Sequence, residues 1–307
     1  MKKHWRSLLL GFVAILLVID LGMGYYLFNF ALGKTGYSAR NANRPLTTSE
    51  KWAQTQEQTT WRQMSADGLK LQARYYPATK PTDKTVIMIH GFGDNSLTVG
   101  PYIKLLHHAG YNVLAPDARA AGRSQGRYIG YGWQDRADLQ LWVQQLIRRQ
   151  GPHCQIGLYG ISMGAAEVMY YLGLRVPSQV RLAIADCGYA SIVGELSYQL
   201  KQIFHLPSFP LIPTANLFVQ TLAHYNLYAA DTRQTLKHNH IPLLLIHGTK
   251  DDFVPTKNAA INYQNDHGPK KLWYVKGAAH AQSYQKQPQK YRQHVLQWLT
   301  KYFDLTK

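Results

Sequence analysis

Apolar residues run almost unbroken from about Leu8 to Leu32. They then thin out, and return as short bursts separated by longer stretches of mixed character. The first run exceeds the about 20 residues a helix needs to cross a hydrocarbon core. It also outlasts the roughly 7–15 apolar residues of a cleavable leader. We therefore expect an uncleaved membrane anchor over residues 1–33, although Ala31-Leu-Gly33 offers small residues of the kind cleavage needs. Asp20 interrupts the run at a cost of about 2.5–3.5 kcal/mol, which its Leu, Ile, Val and Phe neighbours offset. Basic residues flank both ends, with Lys34, Arg40 and Arg44 on the far side. The tighter cluster at residues 2–6 (Lys-Lys-His-Trp-Arg) predicts a cytoplasmic N-terminus, hence a single-pass protein whose main domain is extracellular. Residues 34–60 are polar and aperiodic, and read as a tether.

Beyond residue 60 the pattern changes. Trp61–Ala66 and Leu69–Tyr76 alternate around Asp67-Gly68, which predicts a hairpin. Continuous apolar bursts follow at Thr85–Ile89, Asn112–Ala115, Gln155–Tyr159, Leu182–Ala185 and Pro242–Ile246, and a mixed one at Lys271–Val275. Helical spacing fills the gaps, notably over Asp135–Arg149, Met163–Leu174 and Pro288–Phe303. Fully apolar strands alternating with helices predict an α/β fold: a mostly parallel, doubly wound sheet covered on both faces. The rhythm stops between Ser191 and His240, where Pro207, Pro210 and Pro213 break an aromatic-rich stretch. We expect a small cap insertion there, about residues 191–240, over the carboxyl ends of the strands, where open α/β sheets bind ligands.

Charge adds a partner and excludes another. With 34 Lys and Arg against 17 Asp and Glu, the formal charge is +17. Such a balance suits an anionic membrane or anionic cell-wall polymers. Nucleic acid is not expected, since there is no zinc-finger spacing, aromatic RNA-binding signature or dense Arg block. Cys154 starts one strand and Cys187 ends another; opposite ends of neighbouring parallel strands lie roughly 15 Å apart, beyond disulfide reach. Both read as buried thiols. The 13 histidines are scattered, without metal-ligand spacing, and no cofactor is implied.

Gly-x-Ser-x-Gly occurs twice, at Gly160-Ile-Ser162-Met-Gly164 and Gly122-Arg-Ser124-Gln-Gly126. A nucleophile elbow needs a strand directly before and a helix directly after, so that a strained turn lifts the hydroxyl above the sheet. Only Ser162 has both. A serine hydroxyl needs a base within hydrogen-bond reach, and the base an orienting carboxylate. Downstream, His247-Gly-Thr-Lys-Asp251-Asp252 and Gly277-Ala-Ala-His280 follow successive strands. Asp251 is the expected acid, with Asp252 the alternative, and His280 the expected base. His90 and His247 read as structural, and His294 as lying within the last helix. The backbone N–H of Met163 and that of Phe92, in the loop after the third strand, are the expected oxyanion donors.

With these motifs in this order (His90-Gly-Phe-Gly, Asp117 to Ser124, Gly160 to Gly164, His247 to Asp251, Gly277 to His280), the chain resembles the α/β-hydrolase superfamily over roughly residues 60–304. The likeness is to the branch with serine aminopeptidase-like and dienelactone hydrolase-like members. Within that branch, the anchor and Tyr131-Gly-Trp133-Gln-Asp135 make it similar to membrane-anchored cell-surface hydrolases of Gram-positive bacteria. The resemblance implies an α/β-hydrolase domain over residues 61–307 and a catalytic set of Ser162, Asp251 and His280 with the amides of Phe92 and Met163. The expected activity is hydrolysis of a small-molecule or lipid-like acyl ester. Peptide or amide cleavage is the alternative within the enzyme class, and a surface-binding protein with a vestigial hydrolase fold the alternative outside it. The cap holds no acidic cluster around Glu195 to grip an amino terminus, which favours esters.

Overall fold

The computed structural model describes residues 2–34 and 44–303. Part of the expected tether (35–43, with Arg40) and residues 304–307 lie outside the described residues.

Helix α1 (Lys2–Leu32) contains a stretch, Trp5–Leu32, long and apolar enough to cross a membrane. The segment expected to be a featureless tether holds a second helix, α2 (Thr48–Thr55). A capping box starts it: the Glu50 N–H donates to Thr47 Oγ1, and Thr47 N–H donates back to Glu50 Oε2 at 2.6 Å. Ala53 is fully buried, and the Trp52 ring packs on His107 and His108. That docking supplies what an eight-residue helix lacks alone.

Strands β1 (Thr59–Met64) and β2 (Lys70–Tyr76) form the expected hairpin, with Trp61 opposite Ala73. Next come β3 (Lys84–Ile89), α3 (Gly100–His108), β4 (Asn112–Pro116), α4 (Asp135–Gln150), β5 (Gln155–Ile161), α5 (Met163–Tyr171) and β6 (Val180–Asp186). The insertion contributes α6 (Ile192–Phe204) and α7 (Leu211–Phe218), followed by the one-turn α8 (Thr232–Thr235). The chain closes with β7 (Leu243–Gly248), α9 (Lys257–Asn265), β8 (Lys270–Val275), the short α10 (Ser283–Lys286) and α11 (Pro288–Phe303). The sheet order is β1-β2-β4-β3-β5-β6-β7-β8; the β1–β2 and β2–β4 pairings are antiparallel and the other five are parallel.

Successive residues of β3 enter opposite cores, which is why its sequence is apolar throughout. Val86 and Met88 pack with Ile103 of α3 and Leu299 of α11. Ile87 and Ile89 pack with Trp142 of α4 and Val168 of α5. The two cysteines are free and buried. The insertion leaves and returns through an antiparallel bridge between Ser191 and Asp231. It is therefore shorter than expected: Leu236 is fully buried in the core beside α5, so residues 232–240 pack with the body.

Candidate active site

The turn after β5 is built around two close backbone approaches. A Cβ on Gly160 would lie 2.1 Å from the Gly164 carbonyl oxygen, and one on Gly164 would lie 2.5 Å from that of Ile89. Only glycines let β5, α5 and β3 converge here. Ser162, between them, has φ +55° and ψ −114°. A non-glycine residue held there is strained, and such strain concentrates at functional turns. Its N–H donates to the Asp186 carbonyl oxygen (2.8 Å), fixing the turn to β6.

Three strand ends bring the expected side chains together. Ser162 Oγ lies 2.8 Å from His280 Nε2, and His280 Nδ1 lies 2.8 Å from Asp251 Oδ2. A carboxylate only accepts, so Nδ1 carries the proton and Nε2 of the neutral ring is left to accept from the serine. Asp251 Oδ1 accepts the N–H groups of Phe253 (3.1 Å) and Val254 (2.9 Å). Burial alone would push this carboxyl up, but hydrogen bonds from His247 and His280 hold it down, at about 2. His247, expected to be merely structural, thus touches the carboxylate: its Nε2 is 3.2 Å from Asp251 Oδ2 and 2.9 Å from the Val254 oxygen. The i, i+4 spacing from His247 to Asp251 across one turn was the signal available in the sequence.

The other candidates sort cleanly. Asp252 is exposed. Ser124 is buried away from the triad, donating to the Asp117 carbonyl oxygen at 2.6 Å. His90 Nε2 accepts from the Ala118 N–H (3.0 Å), a structural bond, and His294 stacks on Trp273. Met163 opens α5, so its N–H has no partner within its own helix. The loop carrying Phe92 packs on the serine: a Cβ at Gly91 would lie 3.4 Å from Ser162 Cβ. Cys187 Sγ, an Asp251 oxygen and a His280 nitrogen lie within 4.8 Å of one another, a possible metal trio. Both ring nitrogens of His280 are already engaged, which ties the trio to the relay.

Above Ser162 opens a cavity of about 870 Å³, open solvent at its mouth included. Phe92 and Tyr131 flank the serine; α6, α7 and, unexpectedly, α1 complete the lining. Glu195 is the only Asp, Glu, Lys or Arg among the lining residues. Its Oε1 accepts from Gln199, its Oε2 is buried without a partner, and burial pushes its carboxyl up to about 7.

The family described as serine aminopeptidase, S33, matches residues 80–204. An uncharacterized protein of Bacillus subtilis, YqkD, is 32% identical over 233 residues, 76% of this chain and 76% of that one. The chain belongs to the α/β-hydrolase superfamily. An esterase of Pyrococcus furiosus has the same fold with a TM-score of 0.68 and 25% identity, covering 84% of this chain and 96% of its own. The acylaminoacyl peptidase of Pyrococcus horikoshii shares the fold at a TM-score of 0.63 and 16% identity, over 85% of this chain and 44% of that one. Sheet, elbow and family together make this hydrolase a serine hydrolase.

Proposed function

We propose that the protein hydrolyses carboxylic esters through a covalent acyl-enzyme at the outer face of the cell membrane. The observation that carries this reading is the unbroken relay from Ser162 through His280 to Asp251, both links at 2.8 Å, beneath an apolar pocket. Ser162 Oγ attacks the ester carbonyl carbon while His280 Nε2 takes its proton, and Asp251 stabilises the imidazolium. The N–H groups of Met163 and Phe92 receive the oxyanion. The C–O bond to the alcohol then breaks, and the leaving oxygen takes the proton from His280. Water, deprotonated by His280, attacks the acyl-serine; the acid leaves and Ser162 regains its proton.

The long apolar α1 and the basic residues 2–6 support a single-pass anchor with the hydrolase outside. The +17 charge supports contact with anionic wall polymers. A fluorophosphonate should label the wild type and not Ser162→Ala; folded protein that stays unlabelled would sink the reading. Protease added to intact cells should remove the domain, and a protected domain would reverse the orientation. Fractionation with the cell wall that ignores added salt would remove the polymer partner.

A specific observation favours a second reading. The buried carboxyl of Glu195 shares the pocket with Ser162 and is a possible acceptor for a substrate's amino group. Its raised value leaves it half neutral near pH 7, which weakens a grip on an ammonium. p-Nitrophenyl esters should therefore turn over faster than aminoacyl-anilides; the opposite order would make it a peptidase.

A further inference from the structure

One side of the pocket is closed by the segment that hydropathy assigns to the membrane. Leu27, Phe30 and Ala31 of α1 line it with Leu200 and Phe204 of α6. The docking is built rather than incidental. The Ile129 N–H donates to the Leu32 oxygen (2.9 Å), the Lys34 N–H to the Arg127 oxygen (3.2 Å) and the Tyr131 hydroxyl to the Ala31 oxygen (3.2 Å). Phe28 and Leu32 are 0% and 1% exposed. The Arg127–Tyr131 segment is thus a seat for α1, with the Phe28 ring also against Tyr128. The seat is itself braced, with Tyr131 at φ +50° and its carbonyl accepting from the Tyr189 hydroxyl at 2.8 Å.

The depth of the pocket follows from helix geometry. Twenty residues from Trp5 to Gly24 rise about 30 Å, the thickness of a hydrocarbon core, and most of that stretch is exposed. At its end α7 lies alongside: Thr214 Oγ1 donates to Asp20 Oδ2 (2.5 Å), and a Cβ on Gly24 would meet Thr214 Cγ2 at 2.6 Å. Beside this contact the cap presents bare apolar side chains, with Phe209 78% and Leu217 55% exposed. Leu27 stands about 5 Å further along the helix than Gly24. With Trp5–Gly24 in the hydrocarbon core, the α1 residues that line the pocket stand at the bilayer boundary.

We propose that α1 is a substrate-selecting wall as well as an anchor: the site takes the long acyl chain of an ester lipid resident in the same membrane, which reaches Ser162 sideways past α1 and the cap. This rests on the ester-hydrolase reading. An alkyl chain matches a lining that is apolar almost throughout, and a chain drawn directly from the bilayer avoids exposure to water.

The test uses the full chain in lipid nanodiscs. Ala31→Trp and Leu27→Trp fill the wall, and Val13→Trp, on the exposed span, is the control. Both wall variants should lose at least tenfold in kcat/KM on p-nitrophenyl palmitate and stay within twofold on the acetate, with the control unchanged. Equal loss on both esters, or none on either, overturns the wall. Fluorophosphonate labelling separates the hypotheses: a wild type that neither labels nor cleaves either ester refutes the hydrolase reading, not the wall. A second measurement needs no variant. Wild type should cleave the long-chain ester at least tenfold faster from its own disc than from separate vesicles; equal rates overturn access through the bilayer.

Discussion

At the bottom of the pocket Ser162, His280, Asp251 and His247 stand 2.8 to 3.2 Å apart, each polar atom answered by another. On the side closed by α1, α6 and α7 the reverse holds. Leu27, Leu200, Leu211 and Ile212 touch with no polar atom among their side chains, and the one carboxyl, Glu195, keeps an oxygen without a partner. The difference follows from what each region must do. Reacting atoms need directional bonds, because an ångström of misplacement costs rate. A wall that grades ligands by size needs only non-directional apolar contact, which scales with area.

If that division is correct, changes at the bottom should lower kcat on every substrate. The largest effect is expected from Asp251→Asn, which disturbs the ring proton facing Asp251. A drop of roughly 10⁴-fold in kcat, with KM little changed, is expected; a KM effect alone would contradict the relay. His247→Gln comes next. It keeps a donor but removes the imidazole that helps hold Asp251 at about 2. About a tenfold loss of kcat with the same ratio between short and long esters is the expected pattern, and altered chain-length preference would place His247 in the wall.

The smallest effect belongs to the wall and reads in stability. In the fold the Glu195 carboxyl stands at about 7, against an ordinary 4.5. The folded state thus holds this proton more tightly. Its contribution is fully present below about 4.5 and is lost as pH rises through about 7. Glu195→Gln should therefore gain on the wild type between pH 5 and pH 8, by on the order of 2 kcal/mol. Asp138, raised to about 7, and Asp186, raised to about 6, weaken both proteins alike on that rise, so the difference isolates Glu195. A gap that does not move with pH would show that burial does not hold this proton.

Much of the bottom was legible because its signals are local. Strand, Gly-x-Ser-x-Gly and helix lie in one continuous segment, and Asp251 and His280 each follow an apolar run. The last helix begins at Pro288 and ends at Phe303 where its periodicity says. The wall was not legible. Hydropathy cannot distinguish an apolar residue that meets lipid from one that meets protein, so Leu9 and Phe28 read alike although one is exposed and the other buried. The α2 capping box, Thr47 to Glu50, was readable in principle. What makes so short a helix persist is Trp52 packing on α3, a contact no local pattern announces. The return of residues 232–240 to the body is not legible either: prolines and aromatics precede them, and only the burial of Leu236 joins that stretch to the core.

The seat for α1 bears on how this enzyme can be prepared. Trimming residues 2–33 is the obvious route to a soluble protein. It would uncover the sockets of Phe28 and Leu32, each side chain having contributed about 1.5–3 kcal/mol by its burial. The Ile129 N–H would lose its acceptor, and the Tyr131 hydroxyl its own. Whatever activity survived in such a preparation would keep the Ser162 site but lack Leu27, Phe28, Phe30, Ala31 and Leu32, the five α1 residues that line its pocket. Substrate profiles measured on trimmed and full-length protein should be treated as those of two different enzymes.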